Sequence, residues 1–249
     1  MSMTGVDLRF PKVIGHRGCA QRAPENTLAG FRKARALGCR AVELDARLSL
    51  EGVPVVFHDQ TLERTTDGTG PVGSTPLAAL RARDAGSHFD PSYRGEPIPT
   101  LEEALSLLRE LGLGCNLELK ADEGRETALA EAAARALEHL WPPALPILVT
   151  SFSSVAIEAF ARAAPAVPRG LLVSALNADW RLRAVRLGAA ALVADHKSLD
   201  AAIARAVKEA GLPLLAYTVN HAVRAADLFA WGVDGVISDV PDAILASLR

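Results

Sequence analysis

The chain has 249 residues, 49% hydrophobic and 22% charged, with 27 basic and 29 acidic residues and a formal net charge of −2. That balance gives no electrostatic reason to expect a nucleic acid or an anionic membrane as partner. The three cysteines (Cys19, Cys39, Cys115) are odd in number and show no CxxC spacing, so neither a disulfide framework nor a zinc site is suggested.

The first fifteen residues lack the basic segment and long apolar run of a signal peptide. No run of about 18 apolar residues offers a membrane span. A cytoplasmic protein is the expectation. Residues 11–15 form a short apolar strand that ends at His16-Arg17-Gly18. A loop containing Pro24 and Asn26 follows, then helical spacing over 28–37 with Gly38 as a stop. Residues 40–47 read as a strand, and 53–59 as a second extended run ending at His58-Asp59. Residues 60–98 are rich in Gly, Pro, Thr and Asp, with one apolar patch at 77–80. A stretch this long is expected to be an insertion that serves as a lid or binding loop. Alternation then returns. Helices are expected at 100–112 (Thr100 and Glu103 forming a capping box), 124–140, 153–163, 179–188, 199–210, 221–231 and 241–249. Strands are expected at 115–120, 147–152, 169–174, 190–196, 213–220 and 233–238.

Eight principal strands alternating with helices argue for a parallel sheet in a (β/α)₈ TIM barrel, one domain over 1–249 with a small insertion after the second strand. A doubly wound open sheet is the alternative, and the first strand-to-helix turn has no GxGxxG.

The C-terminal ends of barrel strands face one mouth. Here they carry His16-Arg17, Glu43 and Asp45, His58, the run Asn116, Glu118 and Lys120, then Asp195-His196, Asn220 and Asp239. Side chains alternate along a strand, so Glu43 and Asp45 share a face. Alone, such a pair is more often a solvated or ion-paired surface, with Arg17, Arg47 and Lys120 as counterions. Together with Glu118 it offers three oxygen ligands to one divalent ion, Mg²⁺ or Ca²⁺ with Mn²⁺ also possible. Arg17 and Lys120 supply positive charge suited to phosphate. His16 and His58 can exchange protons near neutral pH. A metal, two cations and two histidines make a phosphoryl-transfer site. Asn26 and Glu25 are expected to brace the first loop. His196 is balanced between site rim and structure, and His139 and His221 are expected at helix ends. Phe152 and Tyr217 are candidates to line the substrate pocket, against ordinary packing.

The segments HRG (16–18), PENT (24–27), ELD (43–45), HD (58–59), NLELK (116–120), TSF (150–152), YTVN (217–220) and VDGVISDVP (233–241), with ERTTDGTG (63–70), DAGS (84–87) and IPTLEEAL (98–105), resemble in order the glycerophosphodiester phosphodiesterase family. The resemblance spans nearly the whole chain and is closest to cytoplasmic bacterial members. It implies a (β/α)₈ barrel and metal-dependent cleavage of glycerophosphodiesters such as glycerophosphocholine to sn-glycerol 3-phosphate and an alcohol. It implies Glu43, Asp45 and Glu118 as ligands, His16 and His58 as acid and base, and Arg17 and Lys120 on the phosphate. In the family mechanism the substrate's own 2-hydroxyl attacks phosphorus, and water then opens the cyclic phosphate. Tyr217 and His88 stand where the family usually has Trp, which bears on the alcohol preferred.

Three rival functions make different demands on the sequence. A lysophospholipase D-like enzyme acting on lysolipids should carry an exposed apolar rim, which the sequence does not make evident. A Schiff-base aldolase needs a desolvated neutral lysine, and Glu118 beside Lys120 disfavours it. A binding protein without turnover has no need of both histidines.

Overall fold

The computed structural model describes residue 8 and residues 10–248. The reading of a missing leader covers the first fifteen residues, of which 1–7 and 9 lie outside the described residues, as does residue 249, where the last helix was expected to end.

Nine strands and nine helices are described: β1 (Val13–Gly15), α1 (Leu28–Ala36), β2 (Ala41–Leu48), β3 (Pro54–Val56), α2 (Leu77–Arg81), α3 (Leu101–Leu111), β4 (Gly114–Leu119), α4 (Glu126–Leu140), β5 (Ile147–Thr150), α5 (Ser154–Ala163), β6 (Gly170–Val173), α6 (Trp180–Leu187), β7 (Ala191–Asp195), α7 (Ala201–Glu209), β8 (Leu214–Tyr217), α8 (Ala222–Ala230), β9 (Gly235–Ser238) and α9 (Pro241–Ser247). Eight of the strands run parallel in the order β5-β4-β2-β1-β9-β8-β7-β6. The two ends of that path meet: Val149 of β5 bridges Arg169, next to β6, and its N–H donates to the Pro168 carbonyl at 3.0 Å. The sheet is therefore a nearly closed (β/α)₈ barrel, and the open doubly wound alternative is excluded.

The alternation of side chains creates two cores. Outward-facing Val42, Leu44 and Ala46 pack under the helices. Ile14, Ala41, Leu148, Leu172, Ala191, Val193, Leu215 and Ile237 form a second apolar cluster inside the barrel. α3 begins at the expected capping box, with Glu103 N–H donating to Thr100 Oγ1 and Thr100 N–H to Glu103 Oε2.

The extended run expected at 53–59 is shorter than its sequence suggested. β3 covers only Pro54–Val56 and pairs antiparallel with β2, outside the parallel ring. The chain then turns through Phe57, whose N–H donates to the Asp45 carbonyl at 3.0 Å. The insertion that follows packs its own apolar cluster of Val55, Phe57, Leu62, Val72, Leu80, Ala85 and Ile98. Glu96 ties it to α1 by accepting from the Ala29 N–H at 2.9 Å.

Candidate active site

The barrel interior changes character along its axis. Ala41 lies in the apolar interior cluster, and Glu43 and Asp45 follow at the same parity toward the C-terminal mouth. Parallel register sets Glu43 beside Asn116, and Asp45 beside Glu118, which in turn neighbours Thr150. The sequence thus converts one step of a strand from apolar filling to carboxylates at a fixed height. Oxygen atoms of Glu43, Asp45 and Glu118 all lie within 4.8 Å of one another.

Backbone geometry of the first loop folds positive charge onto them. Arg17 and Asn26 occupy the left-handed region (φ 48° and 56°), and Gly18 between them has φ 88°. A Cβ on Gly15 would lie 1.9 Å from the Gly18 carbonyl oxygen, so only glycine permits this turn. The Arg17 N–H donates to Glu43 Oε2 at 2.9 Å, and Arg17 Nε lies 3.5 Å from Asp45 Oδ2. Asn26 donates from Nδ2 to Asp45 Oδ2 at 2.8 Å and accepts from the Asp45 N–H at 3.3 Å. Lys120, just past β4, places Nζ 2.6 Å from Glu118 Oε1 and 3.6 Å from Asp45 Oδ1. Arg47 is not a counterion of the three acids: it donates to the His58 carbonyl and pairs with Asp122 at 2.8 Å.

Burial, with the neighbouring charges of Asp45 and Glu118, pushes the Glu43 carboxyl well above the ordinary carboxylate range. Burial and Asp45 push Glu118 up to about 7. Burial also disfavours charge on Asp45, but Arg17, Lys120, His58 and the Asn26 hydrogen bond outweigh it and hold Asp45 low. Burial opposes the charge on Lys120, and Asp45 and Glu118 more than restore it. The cluster is short of positive charge. Asp45 Oδ1 is buried with no hydrogen-bond partner, as is Arg17 Nε. Three hard oxygen donors, two of them (Asp45 Oδ1 and Glu118 Oε1) buried without a hydrogen bond, fit a divalent ion such as Mg²⁺, Ca²⁺ or Mn²⁺.

One consequence concerns stability. A carboxyl with a raised folded-state pKa disfavours folding above that pKa and is indifferent below the unfolded value. Glu118→Gln is therefore expected to stabilise the metal-free protein at pH 8 by about 2 kcal/mol, or roughly 4–8 °C in Tm. The gain should vanish near pH 4. Thermal melts in EDTA at the two pH values check this.

Two histidines flank the acids. His16 Nδ1 donates to Asp239 Oδ1 at 2.6 Å, and its Nε2 lies 3.9 Å from Glu43 Oε2. Asn220 fixes Asp239 by donating from Nδ2 to Oδ2 at 2.6 Å and accepting from the Asp239 N–H at 2.9 Å. His58 Nδ1 donates to Asp59 Oδ1 at 2.6 Å. Burial lowers the His58 pKa, with Arg17 and Lys120 adding to it and Asp45 opposing. Asp59 is held far below the ordinary carboxylate range, chiefly by Arg64. Each imidazole is thus a ring with Nδ1–H fixed on a carboxylate and Nε2 available.

Phe152 and Tyr217 also meet at the site. Their rings stack edge to face with centroids 6.4 Å apart, and Lys120 Nζ lies 5.6 Å from the Phe152 centroid. The Tyr217 hydroxyl donates to the Val173 carbonyl at 3.0 Å. His196 belongs to the structural side: Arg224 donates to its carbonyl and to its Nδ1. His139 lies in the last turn of α4, and His221 precedes α8 without a side-chain cap bond.

Sequence reasoning placed Glu25 and Asn26 as loop braces only. Asn26 in fact holds Asp45 itself, and Glu25 bridges Arg17 to Arg64. Asp239 stood out as a strand-end acid, but nothing in the sequence assigned it to His16, 223 residues away. The signal for Asp59 was its adjacency to His58.

A profile of the glycerophosphoryl diester phosphodiesterase family matches residues 16–243. A glycerophosphodiester phosphodiesterase from Caldanaerobacter subterraneus is 31% identical over 95% of this chain and 97% of its own length. Among solved structures, an Oleispira antarctica phosphodiesterase in complex with the product sn-glycerol-3-phosphate is similar, with a TM-score of 0.94, 41% identity, and coverage of 96% of this chain and 97% of that one. A glycerophosphodiester phosphodiesterase from Agrobacterium tumefaciens superimposes with a TM-score of 0.82 at 30% identity, covering 95% of this chain and all of its own. With the family profile, full-length relatives above 30% identity and the same barrel, the chain belongs to the glycerophosphoryl diester phosphodiesterase family and, with it, to the phosphoric diester hydrolases.

Proposed function

We propose that the chain hydrolyses glycerophosphodiesters such as glycerophosphocholine to sn-glycerol 3-phosphate and an alcohol, with one divalent ion held by Glu43, Asp45 and Glu118. The observation that carries the reading is the pair of histidines beside the three acids, each with Nδ1 on a carboxylate at 2.6 Å. Similarity to the Oleispira enzyme and its product supports it.

In the first step, one histidine Nε2 takes the proton of the substrate's glycerol 2-hydroxyl as that oxygen attacks phosphorus. The other histidine, protonated, gives its proton to the alcohol oxygen as the P–O bond to it breaks. A cyclic phosphate remains. Water then attacks phosphorus with the roles reversed, the bond to the 2-oxygen opens, and glycerol 3-phosphate leaves. A bound divalent ion would offset negative charge developing on the phosphoryl group. Arg17 and Lys120 bind the non-bridging oxygens, and Phe152 and Tyr217 wall the glycerol. The reading takes 1–249 as one barrel domain with its insertion at 60–98, and a cytoplasmic location accords with three free thiols.

A lysophospholipase D-like activity is the second reading. It is favoured by the exposure of Phe152 (51%) and, in the first turn of α5, Val155 (53%), an apolar edge the sequence did not make evident. Among the described residues, no helix is long and apolar enough to cross a membrane. Turnover of glycerophosphocholine against lysophosphatidylcholine separates the two. The first reading expects kcat/KM at least tenfold higher for the water-soluble diester (about 1.4 kcal/mol), and a preference for the lysolipid would replace it with the second.

A further inference from the structure

We propose that Arg64, delivered by the insertion, is a positioning residue that sets both His58 and Arg17 for phosphodiester cleavage. The inference rests on the function proposed above for those two side chains.

Arg64 uses its whole fork. Nη1 and Nη2 donate to the two oxygens of Glu25, each at 2.8 Å. Nε and Nη2 donate to the two oxygens of Asp59, at 2.5 and 3.0 Å. Each of those carboxylates continues inward. Asp59 holds His58 Nδ1, and Glu25 Oε1 accepts from Arg17 Nη1 at 2.8 Å. One guanidinium therefore joins a proton-transfer group and a phosphate-binding group through two carboxylates, in the order Arg17, Glu25, Arg64, Asp59, His58.

Each half of the clamp has a consequence. With both oxygens of Asp59 engaged, the carboxylate cannot rotate, and the imidazole it orients keeps Nδ1–H outward and Nε2 inward. With Nη1 drawn to Glu25, Arg17 stands 3.5 Å from Asp45, and its Nε is buried without a hydrogen-bond partner. Glu25 thereby fixes the guanidinium beside the acidic cluster, with the Arg17 side chain still 16% exposed toward the mouth where a phosphoryl group would bind. A lysine has one ammonium and no planar fork, so it cannot make four bonds to two carboxylates in this geometry.

A purely structural role makes a different forecast. The Arg64 side chain is 47% exposed, and ion pairs so placed contribute little stability. The insertion has other fastenings, among them Glu96 on α1 and the Arg81 ion pair with Glu103 at 2.6 Å. Loss of Arg64 should thus leave the fold in place while loosening the two groups it aims.

The test uses the full chain, loaded with diamagnetic Mg²⁺, and compares wild type with Arg64→Ala, Arg64→Lys, Asp59→Asn and the Arg64→Ala/Asp59→Asn pair. For Arg64→Ala, the expected result is a kcat for glycerophosphocholine lower by about 10–100-fold, as for a misplaced reacting group. KM should rise several-fold through Arg17, with the melting temperature nearly unchanged. Arg64→Lys should recover only a small part of kcat, and added guanidinium should restore part of the activity of Arg64→Ala. The kcat losses of Arg64→Ala and Asp59→Asn should not add, because both act through one hydrogen bond to His58. Ring ¹⁵N spectra of His58 give a readout independent of turnover: a single Nδ1–H tautomer in wild type and a mixture in Arg64→Ala. Wild-type kinetics with an unchanged His58 spectrum in Arg64→Ala, or full additivity with Asp59→Asn, would overturn the proposal. If wild type itself does not turn over glycerophosphocholine, the function reading fails, and the His58 spectrum alone decides the clamp, supporting it if the tautomer changes and overturning it if not.

Discussion

Asp45→Asn is expected to lower glycerophosphocholine turnover by about 10³-fold or more, equivalent to some 4 kcal/mol of transition-state stabilisation, while leaving the fold intact. Asp45 is the member of the acidic cluster that keeps its charge, since Arg17, Lys120 and Asn26 together outweigh its burial. Its Oδ1 is also buried without a hydrogen-bond partner. The amide is the same size and keeps a hydrogen bond within reach of Asn26, but it removes the one charge that Glu43 and Glu118, both pushed toward their protonated forms, do not replace. Calorimetric titration with Mg²⁺, Ca²⁺ and Mn²⁺ should show affinity lost in parallel with kcat. A variant that binds metal normally and turns over normally would remove Asp45 from the ligand set.

The second large effect is on proton transfer. His16→Ala and His58→Ala should each cost about 10²–10⁴-fold in kcat, the range for a positioned acid or base. Their dependence on the leaving group should differ. A glycerophosphodiester of p-nitrophenol needs no proton on its departing oxygen. The variant lacking the histidine that protonates the alcohol should therefore be largely restored on that substrate, and the variant lacking the base should not. This comparison assigns first-step roles to two rings that the structure leaves in similar settings, each held by a carboxylate at 2.6 Å. Equal losses on both substrates for both variants would contradict a paired acid–base scheme.

Much of this site could be read from the chain because charge is costly inside a barrel. Strands that are otherwise Val, Leu and Ala carry Glu43, Asp45, Asn116 and Glu118 at alternating positions. The strand count with intervening helices then implies a common mouth. Pairing was not legible. His16 meets Asp239 because β1 and β9 are neighbours in the ring, a consequence of closure that no local pattern states. Asn26 reaches Asp45 through a left-handed backbone that an ordinary loop asparagine does not advertise. β3 was legible as extended, but its antiparallel place outside the ring depends on Gly52 and Ser49 turning the chain back along β2. Arg64 sat in view within ERTTDGTG and carried no sign of its four bonds, since one partner, Glu25, comes from the first loop and the other, Asp59, meets it only through the fold of its own loop.

The most direct measurement is release of sn-glycerol 3-phosphate from glycerophosphocholine before EDTA treatment, after it, and after restoring a divalent ion. The account predicts release that disappears with EDTA and returns with Mg²⁺, Ca²⁺ or Mn²⁺. Release that persists undiminished in EDTA, or none with any of the three ions, would contradict it.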